Sequence, residues 1–422
     1  MLAAACMLVA GGNVASASKL IYVPDDNLER YLIQLGFDSG ELDNYIAYSE
    51  GQRIKRLDLS NMDINRFDGI QDFQNLEYLD LSGIGDDEGA GNIFLDTYQI
   101  TNRSLKTFRA VGSKFISIRI SGAPLETVDV SNCRNLETLV IHGSKMKSIN
   151  LNGATDLEYI SIEGGQLTSI DLSSQPKLNT LWVNANRLTS INLAPVPDLT
   201  FLDVSNNRIQ AIDLSKNLQL RNLWIGNNEL TALDLSKNVL LENLNASDNK
   251  LKAIDLSKNP SLRTLTVSSN LLTSLDVATN AKLEHLGLAN NRLNKLNVAN
   301  LARLATLDVA VNRIKNLDVR SNTDLVSVDA AYNPVHRLSL PTELRSLINL
   351  NISGTKIKRL DLRGAEFTAQ RDGTATYWES ILYGAWGITA RDSSATLLVD
   401  DPQYIRTIMG SNLDDNVKLV RK

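Results

Sequence analysis

The sequence predicts an α/β solenoid, mostly β: a curved array of 21-residue coils with parallel strands on its concave face, a helical N-terminal cap and a mixed C-terminal cap. Three observations carry this reading. Leucines recur at 136, 157, 178, 199, 220, 241, 262, 283, 304 and 325, nine steps of 21. From Leu178 the unit reads L-x-x-L-x-V-x-x-N-x-L-x-x-L-D-L-S-K-N-x-x, clearest in LRNLWIGNNELTALDLSKNVL. Its ninth position is asparagine in eight successive coils, Asn186, Asn207, Asn228, Asn249, Asn270, Asn291, Asn312 and Asn333.

Each part of the unit has a physical reason. Alternation in L-x-L gives a short strand whose apolar side chains point one way and whose polar ones point the other. One coil has too little apolar surface to bury alone, so stacking must place leucine on leucine along the array. An asparagine at the ninth position has both donor and acceptor, which suits the unpaired backbone groups where the chain leaves the strand.

The unit resembles the leucine-rich repeat, in the short bacterial form of internalin-like surface proteins and secreted repeat proteins of Bacteroidota. VPDDNLERYLIQLGFDSGELDNYI, from Val23 to Ile46, resembles the helical N-terminal cap of those proteins. INRFDGIQDFQNLEYLDLS at Ile64 looks like their first divergent repeat, and LLVDDPQYI at Leu397 is similar to their closing segment. The resemblance implies a scaffold for binding and names no ligand.

The domain organisation follows: residues 1–17 a signal peptide, 18–53 the N-terminal cap, 54–362 the repeats (irregular to 135, regular over 136–346), and 363–422 the C-terminal cap. MLAAACMLVAGGNVASA carries no charge and ends in Ala15-Ser16-Ala17, a cleavage signature. No Lys or Arg precedes its apolar run, so the true start is read as lying upstream of Met1. The expectation is export, to the medium or the cell surface, with a lipid anchor at Cys6 or a periplasmic location as alternatives. No stretch is long and apolar enough to be read as a membrane span.

In the N-terminal cap, Asp25 or Asp26 caps a helix that presents Leu28, Tyr31, Leu32 and Leu35 on one face and ends at Gly36. Units are then read as opening at Ile54, Leu76 and Leu105. The long step between the last two is filled by SGIGDDEGAGNIFLDTYQITNRS, a loop leaving the solenoid. Past Leu362 the repeat signature stops. Tyr377, Trp378, Tyr383, Trp386 and Tyr404 are expected to seal the last coil.

Among 422 residues, 43 are basic and 48 acidic, for a net charge of −5. That leaves no basic footprint for nucleic acid. With the leader removed, Cys133 is the remaining cysteine, so no internal disulfide forms, and its place in VDVSNC matches Asn217, Asn238, Asn259 and Asn280 of later coils. A buried small residue is the expectation there, rather than a reactive thiol.

Catalysis finds no motif. His142, His285 and His336 lie in different coils, and no glycine loop cradles a phosphate. No enzyme activity and no cofactor are expected. The outer aspartates Asp171, Asp213, Asp234, Asp255, Asp276, Asp318 and Asp361 form an intermittent column, interrupted by Asn150, Asn192 and Asn297. Calcium would relieve their repulsion, but backbone hydrogen bonding and the nearby Lys216, Lys237 and Lys258 account for them without a metal.

The concave side is more telling. The third, fifth and seventh positions of the unit point away from the core, and most coils fill them with small polar residues such as Asn243, Asn245 and Ser247. Neighbouring coils instead offer Trp182, Phe201 with Asp203, and Trp224, and the coil before adds Tyr159 and Glu163. His142 follows one coil further, and Asn184 and Asn222 flank the rings. Such a confined aromatic patch suits recognition, although cross-strand packing that stiffens the sheet is the plainer account. At a strand spacing of about 4.8 Å the two indoles are expected roughly 10 Å apart, with a slot over Asp203 between them. The sequence thus reads as a monomeric, non-enzymatic binding protein whose partner is a protein engaged on the concave face. A glycan-binding module and an envelope scaffold are the alternatives.

Overall fold

The stacking of leucine on leucine is realised without a break. The computed structural model describes residues 19–84, 92–96, 104–344, 346–363, 387–390, 396–399 and 417–421. The leader with Cys6, most of the 82–104 segment and the five C-terminal aromatics lie outside the described residues.

The chain winds as a curved, mostly β solenoid around one core. In each regular coil the leucines of positions one, four, eleven and sixteen are buried, as Leu220, Leu223, Leu230 and Leu235 show with exposures of 0–1%. Positions three to five form an inner strand, such as Asn222–Trp224. These strands pair in parallel and in register at equivalent positions, Leu202 beside Leu223 beside Leu244, into a 14-stranded sheet. A solenoid built this way is held by the interface each coil makes with the next.

The asparagine column closes the inner turn. Asn228 Nδ2 donates to Val204 O of the preceding coil (3.0 Å) and to Ile225 O and Gly226 O of its own (3.1 and 3.2 Å). Its Oδ1 accepts from Ile209 N at 2.9 Å. The same four contacts recur at Asn249, Asn270 and Asn291. The residue just before each asparagine is left-handed: Asn227 at φ 52, Val311 at φ 54, Tyr332 at φ 51, with Gly143 and Gly164 in the equivalent places. That turn suits Gly and Asn and strains a β-branched side chain.

Cys133 is buried, with its Sγ 2.7 Å from Ala110 O and 3.4 Å from Ser113 Oγ. Burial pushes its thiol up, away from the thiolate. It heads a second column, Gln175, Asn217, Asn238, Asn259, Asn280 and Asn322, every member fully buried. Here Asn238 Nδ2 donates to Leu214 O (3.2 Å) and Asn217 O (2.9 Å), while its Oδ1 has no partner.

At the N-terminal end the helix α1 (Asp26–Gln34) covers the core with Leu28 and Leu32. Asp25 is the cap: Oδ1 accepts from Asn27 N and Leu28 N, and Oδ2 from Asn65 N and Arg66 N, so one carboxylate ties the helix to the first coils. Gly36, at φ 74, ends the helix with bonds from Gly36 N to Ile33 O and Phe37 N to Leu32 O. Leu35 was expected on the buried face; it is 43% exposed, because the helix has already turned off the core there.

Two readings of the irregular region change. Arg56–Asp58, Tyr78–Asp80, Thr107–Arg109 and Thr127–Asp129 form a separate parallel sheet that continues through an Asp129–Asn150 bridge into the L-D-L side of the coils. Ile54, Leu76 and Leu105 therefore open outer strands, half a coil out of phase with Leu136. The unit contains L-x-x-L-x-L twice, ten positions apart, and without a regular period the two copies look alike. The segment read as an excursion also returns to the fold: its middle, Asn92–Asp96, pairs with Ser117–Ser121 as the end strand of the inner sheet.

Past Leu362 the repeat signature is gone but the winding is not. Gly387–Thr389 pairs with Asn349–Asn351 on the inner side. On the outer side Arg359–Asp361, Thr396–Val399 and Lys418–Arg421 make a three-stranded parallel sheet. Among the described residues, no helix is long and apolar enough to cross a membrane.

Candidate functional site

The inner sheet presents its third, fifth and seventh positions outward because the alternate side chains are committed to the core. Two clusters stand on it, one aromatic and one polar.

Trp182, Phe201 and Trp224 lie on three adjacent strands, each half-buried. The Trp182 indole stacks on Phe201 with centroids 4.6 Å apart and planes at 14°. Trp224 meets both rings by its edge or at a steep tilt, 5.4 Å from Trp182 and 5.1 Å from Phe201. The slot expected between two indoles 10 Å apart is therefore absent. The rotamers lean together across the intervening strand, since mutual contact removes more apolar surface from water than two upright rings would. Asp203, in register between the indoles, is 3% exposed. Its Oδ1 accepts from Ser205 N and Ser205 Oγ, and burial, with Glu163 adding to it, raises its pKa. The result is a compact apolar triad over a recessed acid.

The polar cluster adjoins it. His142 Nε2 lies 2.9 Å from Ser161 Oγ, and Ser161 Oγ donates to Glu163 Oε1 at 2.6 Å. Bonds from His142, Ser161 and Asn184 keep the Glu163 carboxyl below its usual range. A serine, a histidine and a glutamate in contact invite a catalytic reading, and the protons exclude it. The one hydroxyl proton goes to the carboxylate, so the imidazole nitrogen facing Ser161 donates instead of accepting, and it is the same nitrogen that faces Glu163 at 3.5 Å. A base that activates serine needs the opposite arrangement. Ser161 is also 1% exposed. Ser161 was not among the residues anticipated from sequence.

Of the other anticipated residues, Tyr159 stands in register between Thr138 and Thr180, half-buried beside the polar cluster. Asn222 is in register with Phe201 and accepts from Asn243 Nδ2 at 2.7 Å. The structure thus gathers His142, Tyr159, Glu163, Trp182, Asn184, Phe201, Asp203, Asn222 and Trp224 on five consecutive strands of one face. Asp308 and Asp329, further along the same face, were overlooked although TLDVA and SVDAA display them at the fifth position.

On the outer side the aspartates act locally. Asp213, Asp234 and Asp255 each accept from the backbone N–H two residues on, at 2.8–2.9 Å. Those backbone bonds come first in holding the carboxyls low, then the hydroxyls of Ser215, Ser236 and Ser257, with Lys216, Lys237 and Lys258 contributing less. Among the described residues no group of three or more His, Cys, Asp or Glu is placed to hold a metal ion.

The solenoid is similar to the functional domain of InlJ from Listeria monocytogenes, which includes a cysteine ladder: TM-score 0.53, 21% identity, 96% of this chain and 82% of that one. It is also similar to the LRR protein LIC12759 of Leptospira interrogans, with TM-score 0.53 at 17% identity over 88% of this chain and 97% of that one. The fold is that of a leucine-rich-repeat solenoid. A third likeness is YopM of Yersinia enterocolitica, with TM-score 0.52, 21% identity, and coverage of 83% and 73%. At these identities the likeness concerns the leucine-rich-repeat fold alone. No family model matches the chain, and no curated protein matches it.

Proposed function

We propose that this is an exported, non-enzymatic binding protein that recognises a protein partner on its concave face, adhesin-like in role. The observation that carries the reading is the aromatic triad. Trp182, Phe201 and Trp224 form one contiguous, half-exposed apolar patch on a face whose next coils present Asn243, Asn245, Thr264 and Thr266. Rigid aromatic patches with polar surroundings are where binding energy concentrates in protein interfaces. The leucine-rich-repeat scaffold, with its long in-register inner sheet, supplies an extended surface of the kind solenoids use for partners.

A glycan is the second reading, favoured by the amides of Asn184, Asn222 and Asn243 beside the rings. It is the weaker one, because the rings pack on one another and leave no slot between the indoles for a sugar to enter.

A photo-crosslinking residue placed at Asn243, beside the triad, should capture one protein from host-cell or bacterial-surface extract. The same residue at Ser236, on the outer side, should not. Capture from both positions alike, or saturable binding to purified polysaccharide with none to protein, would refute the proposal.

A further inference from the structure

Between Thr138 and Ser353 the lysine- and arginine-free inner face carries carboxylates, while on the strand before it Arg119 stands in register with Val140. From Thr138 to Ser353 no third, fifth or seventh position holds a lysine or arginine, while four hold Glu163, Asp203, Asp308 and Asp329. Three rim cations are engaged with rim acids, Arg221 with Glu242 at 2.6 Å, Arg263 with Glu284 at 2.9 Å and Lys250 with Glu229 at 3.2 Å, while Arg187, Arg208, Arg292 and Arg313 stand at the tenth position that Lys250 holds in its own coil. The two histidines on the face are also engaged. His142 bonds Ser161, and His285 Nδ1 lies 2.9 Å from Thr306 Oγ1, with burial keeping its imidazole below the usual range and so uncharged near neutrality.

Asp308 and Asp329 are in-register partners on adjacent parallel strands, so their backbones stand about 4.8 Å apart. Each binds the N–H two residues on, from Ala310 at 3.0 Å and Ala331 at 2.9 Å, and Asn351 donates to Asp329 at 2.9 Å. No cation contributes to holding either carboxyl, and burial raises both. The surrounding inner positions, Gly287, Ala289, Ala310 and Ala331, are small. Two like charges on neighbouring strands, unaccompanied by a counter-charge, cost the free protein stability. An outside cation offsets that cost.

We infer that the concave face receives an extended basic segment of the protein partner, one lysine or arginine at Asp308–Asp329 and another beside Asp203, Glu163 and the aromatic triad. This rests on the protein-binding reading above and names the chemistry of the partner. The first anchor combines two carboxylates; the second adds ring faces to carboxylates, an arrangement that favours arginine. Asp203 and Asp308 are five coils apart, about 24 Å at the strand spacing. An extended chain covers that in about seven residues.

The probe is a fluorescent peptide of about twelve residues with two arginines seven apart, in a serine and threonine background, titrated against the whole mature chain and followed by anisotropy. Saturable binding is expected. Replacing both arginines by neutral citrulline should weaken it tenfold or more, as should Asp308→Asn with Asp329→Asn. The outer pair Asp213→Asn with Asp234→Asn changes net charge equally and should leave the affinity unchanged. Four results overturn the inference: no saturable binding up to millimolar peptide, equal affinity of the citrulline peptide, equal loss with the outer pair, or indifference to the inner pair. If the photo-captured partner still needs Trp182 and Trp224 while the peptide ignores the inner pair, protein binding stands and the basic segment falls.

Discussion

Trp182 and Phe201 stack face to face at 4.6 Å although they occupy different positions of their coils, the fifth and the third. A regular solenoid stacks like positions on like, as Leu181 on Leu202 in the core. The offset contact is possible only because the inner face is free of the core's constraint. It shows that this face has organisation beyond the repeat.

The two asparagine columns should respond differently to mutation. Asn228→Ala strips a donor from three carbonyls and the acceptor from Ile209 N, leaving buried polar groups unmatched. A loss of about 2–4 kcal/mol is expected, read from urea denaturation. Asn238→Leu removes two donor contacts and also a buried Oδ1 that already lacks a partner, in a column where Leu301 stands naturally. It should cost less than half as much. Equal losses would mean that both columns do the same job.

Val311 sits at φ 54 with 47% of its surface exposed, where other coils have Asn206, Asn227 and Asn290. Val311→Asn should relieve a β-branched left-handed residue and stabilise the chain by about 1 kcal/mol. A lower denaturation midpoint for the variant would show that the valine side chain contributes more than its backbone costs.

Asp308 titrates near about 6, pushed up by burial with Asp329 adding to it. A carboxyl whose folded pKa lies above its unfolded value destabilises the fold when ionised. That penalty is complete above pH 6 and fades as pH falls toward the ordinary value of 3.8. Asp308→Asn should therefore raise stability at pH 8 by on the order of 1–3 kcal/mol and change nothing at pH 4. Denaturation of both proteins across that range checks it, and a gain independent of pH would contradict the cause.

Much of this was legible in the sequence, for physical reasons. The step of 21 fixes strand, core and register together, and Asn186 to Asn333 announced their role because an amide offers both a donor for carbonyls and an acceptor for an N–H at that turn. The phase of Leu76 and Leu105 was not legible, since L-x-x-L-x-L serves both strands of the coil. Nor was the triad's closed form, because strand spacing places Trp182 and Trp224 but leaves their rotamers open. Asp308 and Asp329 were visible but unremarkable until pairing put them side by side without a cation.

The central claim is that the triad is a binding surface and not a piece of core. Trp182→Ala with Trp224→Ala, made together, tests it through two readouts on one preparation: thermal unfolding by circular dichroism and affinity for the photo-captured partner. Stability should fall by only about 1–3 kcal/mol, the worth of the lost ring contacts, and the cooperative melt should persist. Affinity should fall by more than about 2 kcal/mol, roughly thirtyfold. A variant that fails to fold, or one that folds and binds with full affinity, would contradict the account.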